Sequence, residues 1–258
     1  NPIVYSKSPQ YHNARFAEDG IDACYVPVLV DEVDAFFELS ELVPVYGFSV
    51  TIPHKVSVMR HLTERGEDVQ AAEACNTVVR AQSGWRGVNT DVIGFLAPLE
   101  EVLSRQLAGC RVLVIGAGGA ARGVVYALLS HGAEVHLWNR TTSRAEELAE
   151  DLGSLVGSRV KVLHGEGSSA VADLPTVDVV VNTTNVGMHG EGDPAPWYAF
   201  GGHEVVYDIV YTPAETPMIA RAAEAGCRVV TGDRMFAAQA AAQYELYRVL
   251  ATGGAPGA

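Results

Sequence analysis

Apolar and polar positions along the chain switch repeatedly between a period of two and a period near 3.6, the mark of strands alternating with helices. In the first third, Ala23-Cys24-Tyr25-Val26-Pro27-Val28-Leu29-Val30 reads as a strand, and Val33 to Leu42 as a helix opened by Asp31 or Glu32. Gly47 to Thr51 reads as a second strand, stopped by Pro53. Thr77 to Arg80 and Gly84 to Val88 predict a short hairpin across Ala81-Gln82-Ser83, and Val92 to Leu107 a long helix. Beyond it the pattern is cleaner. Arg111 to Ile115 is a near-continuous apolar strand, as expected when both faces of a sheet are covered. Gly119 to Ser130 predicts a helix, Glu134 to Trp138 a strand, and Ser143-Arg144-Ala145-Glu146 a capping box that opens a further helix. Val160 to Leu163, Val177 to Val181, Val205 to Ile209 and Arg228 to Val230 predict more strands, and Ala237 to Leu250 the last helix. The expected class is α/β, with parallel sheets crossed by helices.

Composition narrows this picture. The chain has 258 residues, against a prior of ~150 per domain, so one large or two modest domains are expected. Hydrophobic residues make up 48%, enough for a sizeable core and too many for a disordered chain. Lys and Arg number 18 and Asp and Glu 31, a net charge of −13. That balance argues against nucleic acid and anionic membranes as partners, since both are polyanions. Any bound phosphate must be held by local geometry. Cys24, Cys75, Cys110 and Cys227 are widely spaced and show no Cys-x-x-Cys pair, so reduced thiols are expected. The opening Asn1 to Pro9 lacks the basic head and apolar stretch of a secretory signal and reads as a start in mid-domain; a cytoplasmic protein is expected. No Cys/His cluster has zinc spacing, so no metal site is expected.

Gly116-Ala117-Gly118-Gly119-Ala120-Ala121 fits G-x-G-x-x-A. Such a match is weak alone, but here it follows a buried strand and opens a helix, the context the motif requires. The first Gly makes the tight turn, Gly118 lets backbone approach a pyrophosphate, and Ala121 allows close helix–strand packing. An NAD site usually carries Asp or Glu about 20 residues further on, to bind the ribose 2′-hydroxyl. This chain has Asn139-Arg140-Thr141 there, with Arg144 one helical turn on. Two guanidiniums and no acid favour a 2′-phosphate, hence NADP.

Ser49 to Lys55 places a Lys just past a strand end, and Asn89-Thr90-Asp91 precedes the long helix. From the residues alone, most lysines are exposed and inert, and Asp91 reads first as a helix N-cap.

Taken together, the motifs resemble the shikimate dehydrogenase family. Ser6-Lys7-Ser8-Pro9 with His12-Asn13 resembles its opening, and Ser49 to Lys55 its lysine motif. Ala74 to Thr77 and Gly87 to Asp91 resemble its central motifs, and Gly116 to Arg122 and Asn139 to Arg144 its NADP motifs. Asn182-Thr183-Thr184 with Gly187-Met188, Tyr207 to Tyr211 with Pro213, and Gly232 to Gln239 complete the set. The resemblance implies that Lys55 and Asp91 are the catalytic pair for interconversion of 3-dehydroshikimate and shikimate. It implies that Ser6 and Ser8 bind the substrate carboxylate, with Thr51, Asn76, Tyr211 and Gln239 around the ring hydroxyls and carboxylate. Gly116, Ala117, Gly118, Gly119, Ala120, Asn139, Arg140, Thr141, Arg144, Gly232 and Met235 are implied to hold NADP. Residues 1–93, completed by 232–258, are then a substrate-binding α/β domain, and 108–231 a Rossmann domain. A monomer or homodimer is implied.

The chain departs from the family pattern at Tyr5, where a His is usual, and at Asn185. The resemblance also implies that the family's first strand and leading glycine precede Asn1. The motif wording is similar to the dehydrogenase half of plant-type fusions with dehydroquinate dehydratase, although these 258 residues hold no dehydratase segment. Two rival readings are a quinate/shikimate dehydrogenase preferring NAD, which Asn139-Arg140-Thr141 opposes, and a non-catalytic NADP-binding sensor, which would not need Lys55 and Asp91.

Overall fold

The computed structural model describes residue 3 and residues 6–156, 160–165 and 167–254; Tyr5 lies outside the described residues. The chain forms two units, residues 1–90 with 239–258, and residues 91–238.

In the first unit, helix α1 (Ser8–Glu18) carries Pro9 in its first turn, where the missing N–H had no partner to lose. It buries Ser8, His12 and Phe16, one residue per turn. Two of those three are polar, which is why hydrophobic spacing did not announce it. Helix α2 (Val33–Ser40) ends two residues before the expected Leu42. The sheet has four strands: β1 (Gly47–Ser49), β2 (Glu64–Arg65), β3 (Thr77–Ala81) and β4 (Gly84–Val88), in the order β1-β3-β4-β2. β3 pairs antiparallel with both β1 and β4, so the predicted hairpin forms, but this sheet is mixed and not parallel. A short α3 (Glu67–Ala72) precedes β3. Val69, Cys75, Val78 and Trp85 fill the core beneath these elements.

Among the described residues, the strand expected over 23–30 joins no sheet. The Tyr25 backbone N–H donates to Asn13 Oδ1 at 2.7 Å, and the Tyr25 carbonyl accepts from Asn13 Nδ2 at 2.9 Å. A side-chain amide thus takes both backbone hydrogen bonds of Tyr25.

In the second unit, α4 (Thr90–Val102) stops short of the expected Leu107. Leu103 and Leu107 are buried all the same, so their apolar spacing continued past the helix end. Six strands follow: β5 (Arg111–Ile115), β6 (Glu134–Trp138), β7 (Val160–Val162), β8 (Val179–Asn182), β9 (Val205–Asp208) and β10 (Arg228–Val230). All pair in parallel in the order β10-β9-β8-β5-β6-β7. Chain direction across the sheet reverses between β5 and β8, and in such sheets ligands bind outside the carboxyl ends of the strands at that point. Helices α5 (Gly119–Ser130), α6 (Thr142–Val156) and α7 (Pro217–Glu224) link successive strands. The α6 helix starts one residue before the predicted capping box, so Ser143 lies inside its first turn. Val112, Val114, Val124, Leu128, Leu137 and Leu148 belong to one core. The last helix, α8 (Gly232–Ala251), begins five residues earlier than its apolar pattern suggested, and the division between units falls within it, after Ala238.

Candidate active site

The turn after β5 is built for close approach. Gly116 has φ +111°, a conformation that side chains with a Cβ rarely adopt. A Cβ there would lie 2.6 Å from Thr183 Oγ1 and 2.8 Å from Thr184 Cγ2. Thr183 is tied to the same spot, its N–H and its hydroxyl both donating to the Ile115 carbonyl at 2.8 Å. Gly118 is the opposite case: a Cβ there would meet nothing within 4 Å. The open space stands at the start of α5, whose N-cap is Gly118 and whose first turn has no side-chain cap. First-turn N–H groups without a cap, next to open space, form an anion site, and a pyrophosphate fits it.

At the end of β6, Asn139 is half-buried and its Nδ2 donates to the Thr141 carbonyl at 2.8 Å, which shapes the turn into α6. Arg140, Thr141 and Arg144 are exposed. Among the described residues neither guanidinium has an ion-pair partner. No carboxylate follows the strand, so this turn presents two cations and a hydroxyl, the donor set a phosphate dianion prefers.

Asn182, at the end of β8, is fully buried and organises the loop after it. Its Oδ1 accepts from the Thr184 N–H and hydroxyl at 2.9 and 2.7 Å. Its Nδ2 donates to the Val186 carbonyl at 3.1 Å and to Asp208 Oδ1 at 2.9 Å. Asp208 also accepts from the Val210 N–H at 3.0 Å and the Thr216 hydroxyl at 2.7 Å, and burial pushes its carboxyl up to about 6. Both residues stand within the motifs of the family resemblance, and the sequence pattern assigns neither a task. Their task is to lock the loops after β8 and β9, the second of which carries Tyr211.

A carboxyl whose folded pKa is raised favours folding when protonated. The Asp208 contribution is full below the ordinary carboxylate range and is lost as pH rises towards 6, a change of about 3 kcal/mol. In Asp208→Asn the Oδ1 contacts persist and the new Nδ2 can donate to Thr216. The stability difference, variant minus wild type, should grow by that amount between pH 4 and pH 7, read from urea unfolding at both. A difference that is equal at the two pH values would show that folding does not raise the Asp208 pKa.

Gly232, implied as a cofactor residue, is buried at the first turn of α8. A Cβ there would stand 2.4 Å from the Val210 carbonyl oxygen and 2.5 Å from that of Ile209. Backbone cannot yield, so the glycine is required by packing. Gly232→Ala should cost about 1–3 kcal/mol of stability. An unchanged urea midpoint would remove that reading. Met235, on the same helix, is buried in the core of the second unit, and half-buried Tyr211 lies against Phe236 with ring centroids 5.5 Å apart.

In the first unit, buried Asn76 is the hub. Its Nδ2 donates to Thr90 Oγ1 at 2.9 Å and to Gln239 Oε1 at 3.3 Å, and its Oδ1 accepts from the Thr90 N–H at 2.8 Å. This holds Thr90, and Asp91 follows it directly, buried at 5% exposure. The same hub continues through Thr77 to Gln243, whose Nε2 donates to Thr77 Oγ1 at 2.9 Å and whose Oε1 accepts from Ser49 at 3.0 Å. Gln243 and Ser49 were missed as functional candidates because their roles depend on contacts 166 and 194 residues distant in sequence. Lys55 is half-buried in the turn after β1, where its carbonyl accepts from the Cys75 N–H at 2.8 Å. That bond ties the lysine motif to the Asn76 motif.

Ser6 Oγ accepts from the Ser8 N–H at 3.3 Å. Ser6 and Thr51 line a cavity of about 380 Å³ in the first unit, with Tyr25, Ser49 and Tyr247 on its wall. The site residues expected from sequence therefore fall in two sets. Ser6, Ser8, Thr51, Lys55, Asn76 and Gln239 belong to the first unit, and Asp91, Tyr211 and the dinucleotide residues to the second. No group of three or more His, Cys, Asp or Glu among the described residues could hold a metal ion. No described helix is long and apolar enough to cross a membrane.

Residues 1–78 match the family profile of the shikimate dehydrogenase substrate binding domain, and residues 99–186 that of shikimate / quinate 5-dehydrogenase. A shikimate dehydrogenase (NADP(+)) from Shouchella clausii is 38% identical over 250 residues, 95% of this chain and 89% of that protein. The crystal structure of shikimate dehydrogenase from Aquifex aeolicus superimposes with a TM-score of 0.84 at 31% identity, covering 98% of this chain and 93% of that one. Shikimate 5-dehydrogenase from Thermus thermophilus, solved in complex with NADP(H) and shikimate, gives 0.81 at 29% identity, covering 100% and 92%.

Proposed function

This chain belongs to the shikimate dehydrogenase family, and from that premise we propose how its residues carry out the family's reaction. The protein is an NADP-dependent oxidoreductase that interconverts 3-dehydroshikimate and shikimate. The observation that carries the cofactor assignment is the turn after β6, where Arg140, Thr141 and Arg144 stand exposed and no carboxylate is present. Gly116 to Ala120 would hold the pyrophosphate with backbone N–H groups, Asn139 would shape the adenosine end, and Gly232 and Met235 would serve the nicotinamide end. NADP, when bound, would supply or take up the hydride.

The chain's own residues manage charge and protons. Reduction of the ketone leaves an alkoxide, which needs a cation beside it and then a proton. The Lys55 ammonium stabilises the developing charge. Asp91, buried and led by the fixed Thr90, accepts a hydrogen bond from a substrate hydroxyl. Ser6 and Ser8 donate to the substrate carboxylate, and Thr51, Asn76, Tyr211 and Gln239 bind around the ring. Several directed neutral donors distinguish a small polyol acid better than one charge does. The substrate is a small molecule, and the catalytic form is a monomer or homodimer in the cytoplasm.

Shikimate-dependent reduction of NADP+ and of NAD+, measured side by side, tests the cofactor reading. A clear preference for NADP+ is expected. Equal kcat/KM for the two would contradict it and favour the quinate-type alternative.

A further inference from the structure

One hydrogen-bond chain in the first unit ends on two residues of the proposed substrate set, and its other members have no task in the reaction above. It runs from Tyr247 through Ser49, Gln243, Thr77 and Asn76 to Gln239. A hydroxyl has one proton, and an amide has distinct donor and acceptor ends, so the sense of each link constrains the next.

The anchor is backbone. The Thr90 N–H can only donate, and it meets Asn76 Oδ1 at 2.8 Å. That bond fixes which end of the Asn76 amide is oxygen. Asn76 Nδ2 then donates to Gln239 Oε1 at 3.3 Å. With its oxygen engaged, Gln239 keeps its Nε2 group for another partner. Among the described residues that nitrogen makes no hydrogen bond.

The far side of the chain enforces the same sense. Thr77 and Gln243 are buried. Gln243 Nε2 donates to Thr77 Oγ1 at 2.9 Å, so the Thr77 proton is free to go to Asn76 Oδ1, also at 2.9 Å. Gln243 Oε1 takes the Ser49 proton at 3.0 Å, which makes the Tyr247 hydroxyl the donor to Ser49 at 2.9 Å. Burial raises the Tyr247 pKa well above the ordinary phenol value, so that proton stays in place. Were the Gln243 amide turned over, its oxygen would draw the Thr77 proton away from Asn76.

We propose that Thr77 and Gln243 are positioning residues: through this directed chain they hold Asn76 so that Gln239 meets the substrate as a hydrogen-bond donor. A glutamine amide that turns over presents a donor in one sense and an acceptor in the other. Fixing the sense before substrate arrives is pre-organisation. The inference rests on the proposal that Gln239 binds substrate.

The test uses Thr77→Val, Thr77→Ser, Gln239→Leu and the Thr77→Val/Gln239→Leu double variant. Thr77→Val keeps the branched shape and removes the hydroxyl. It should raise KM for shikimate about 3- to 10-fold, the worth of one neutral hydrogen bond, while KM for NADP+ holds. Thr77→Ser restores the hydroxyl and should keep KM for shikimate within about twofold of wild type. Gln239→Leu should raise it about tenfold. The double variant should lose less than the product of the two single losses, because Thr77 acts in part through Gln239. Gln243→Met, which removes the partner on the other side of Thr77, carries the same expectation as Thr77→Val and replaces it if that variant does not fold. If Gln239→Leu weakens shikimate but neither Thr77→Val nor Gln243→Met does, or if the effects multiply, the positioning role is wrong. A Thr77→Ser variant as poor as Thr77→Val, or an equal rise in KM for NADP+, would mark a packing role and also overturn it. If Gln239→Leu leaves KM for shikimate unchanged, the Gln239 assignment fails and takes this inference with it.

Discussion

Lys55→Ala should lower kcat by about 10²- to 10⁴-fold, the usual worth of a positioned acid–base group. KM for 3-dehydroshikimate should change far less. The ammonium matters most when the ketone oxygen carries negative charge, and interactions made only in the transition state appear in kcat. The turn that holds Lys55 is fastened by the bond from the Cys75 N–H to the Lys55 carbonyl, which the substitution keeps. The fold should therefore survive, and circular dichroism of the variant should match wild type. A variant with near-wild-type kcat would remove Lys55 from the reaction.

The second large effect concerns the cofactor. Arg140→Ala should raise KM for NADPH about 5- to 50-fold and leave KM for NADH almost unchanged. A charge-assisted hydrogen bond is worth about 1.5–3 kcal/mol, discounted here because Arg140 is exposed. NADH lacks the 2′-phosphate and so never used the contact. The double variant with Arg144→Ala should lose more, yet less than the product of the two single losses, since both guanidiniums serve one phosphate. Exposure adds a further expectation: raising salt should narrow the preference of the wild type, because exposed charges are screened within about 10 Å at 0.1 M. Equal losses for NADPH and NADH would show that these arginines support the fold instead.

The dinucleotide half was legible almost residue by residue. The strand at Arg111–Ile115, the helix at Gly119–Ser130 and the strand at Glu134–Trp138 stand where the pattern put them. Parallel strands covered on both faces are continuous apolar runs, and a glycine turn followed by a helix has a fixed grammar. The first unit was less legible because polar contacts shape it. The α1 helix buries Ser8 and His12, the Asn13 amide holds the Tyr25 backbone, and among the described residues the 23–30 segment joins no sheet. Apolar periodicity does not register a helix whose buried positions are polar, and it does not show which backbone an amide side chain will pair. The site divides in the same way. The glycines and arginines of the cofactor turn carried their reason in their spacing. From spacing alone Lys55 was an ordinary lysine and Asp91 an N-cap, and only the family resemblance gave them a role. Gln243, Ser49 and Asp208 had no local signal, because each acts through partners brought together by the fold.

The central claim is most directly tested by following NADPH oxidation by the purified protein with 3-dehydroshikimate, with 3-dehydroquinate and with no substrate, in parallel. Rapid oxidation with 3-dehydroshikimate, weak oxidation with 3-dehydroquinate and none without substrate is the predicted result. No oxidation above the substrate-free rate with 3-dehydroshikimate, from protein that binds NADPH, would contradict the account and leave a cofactor-binding protein without this activity.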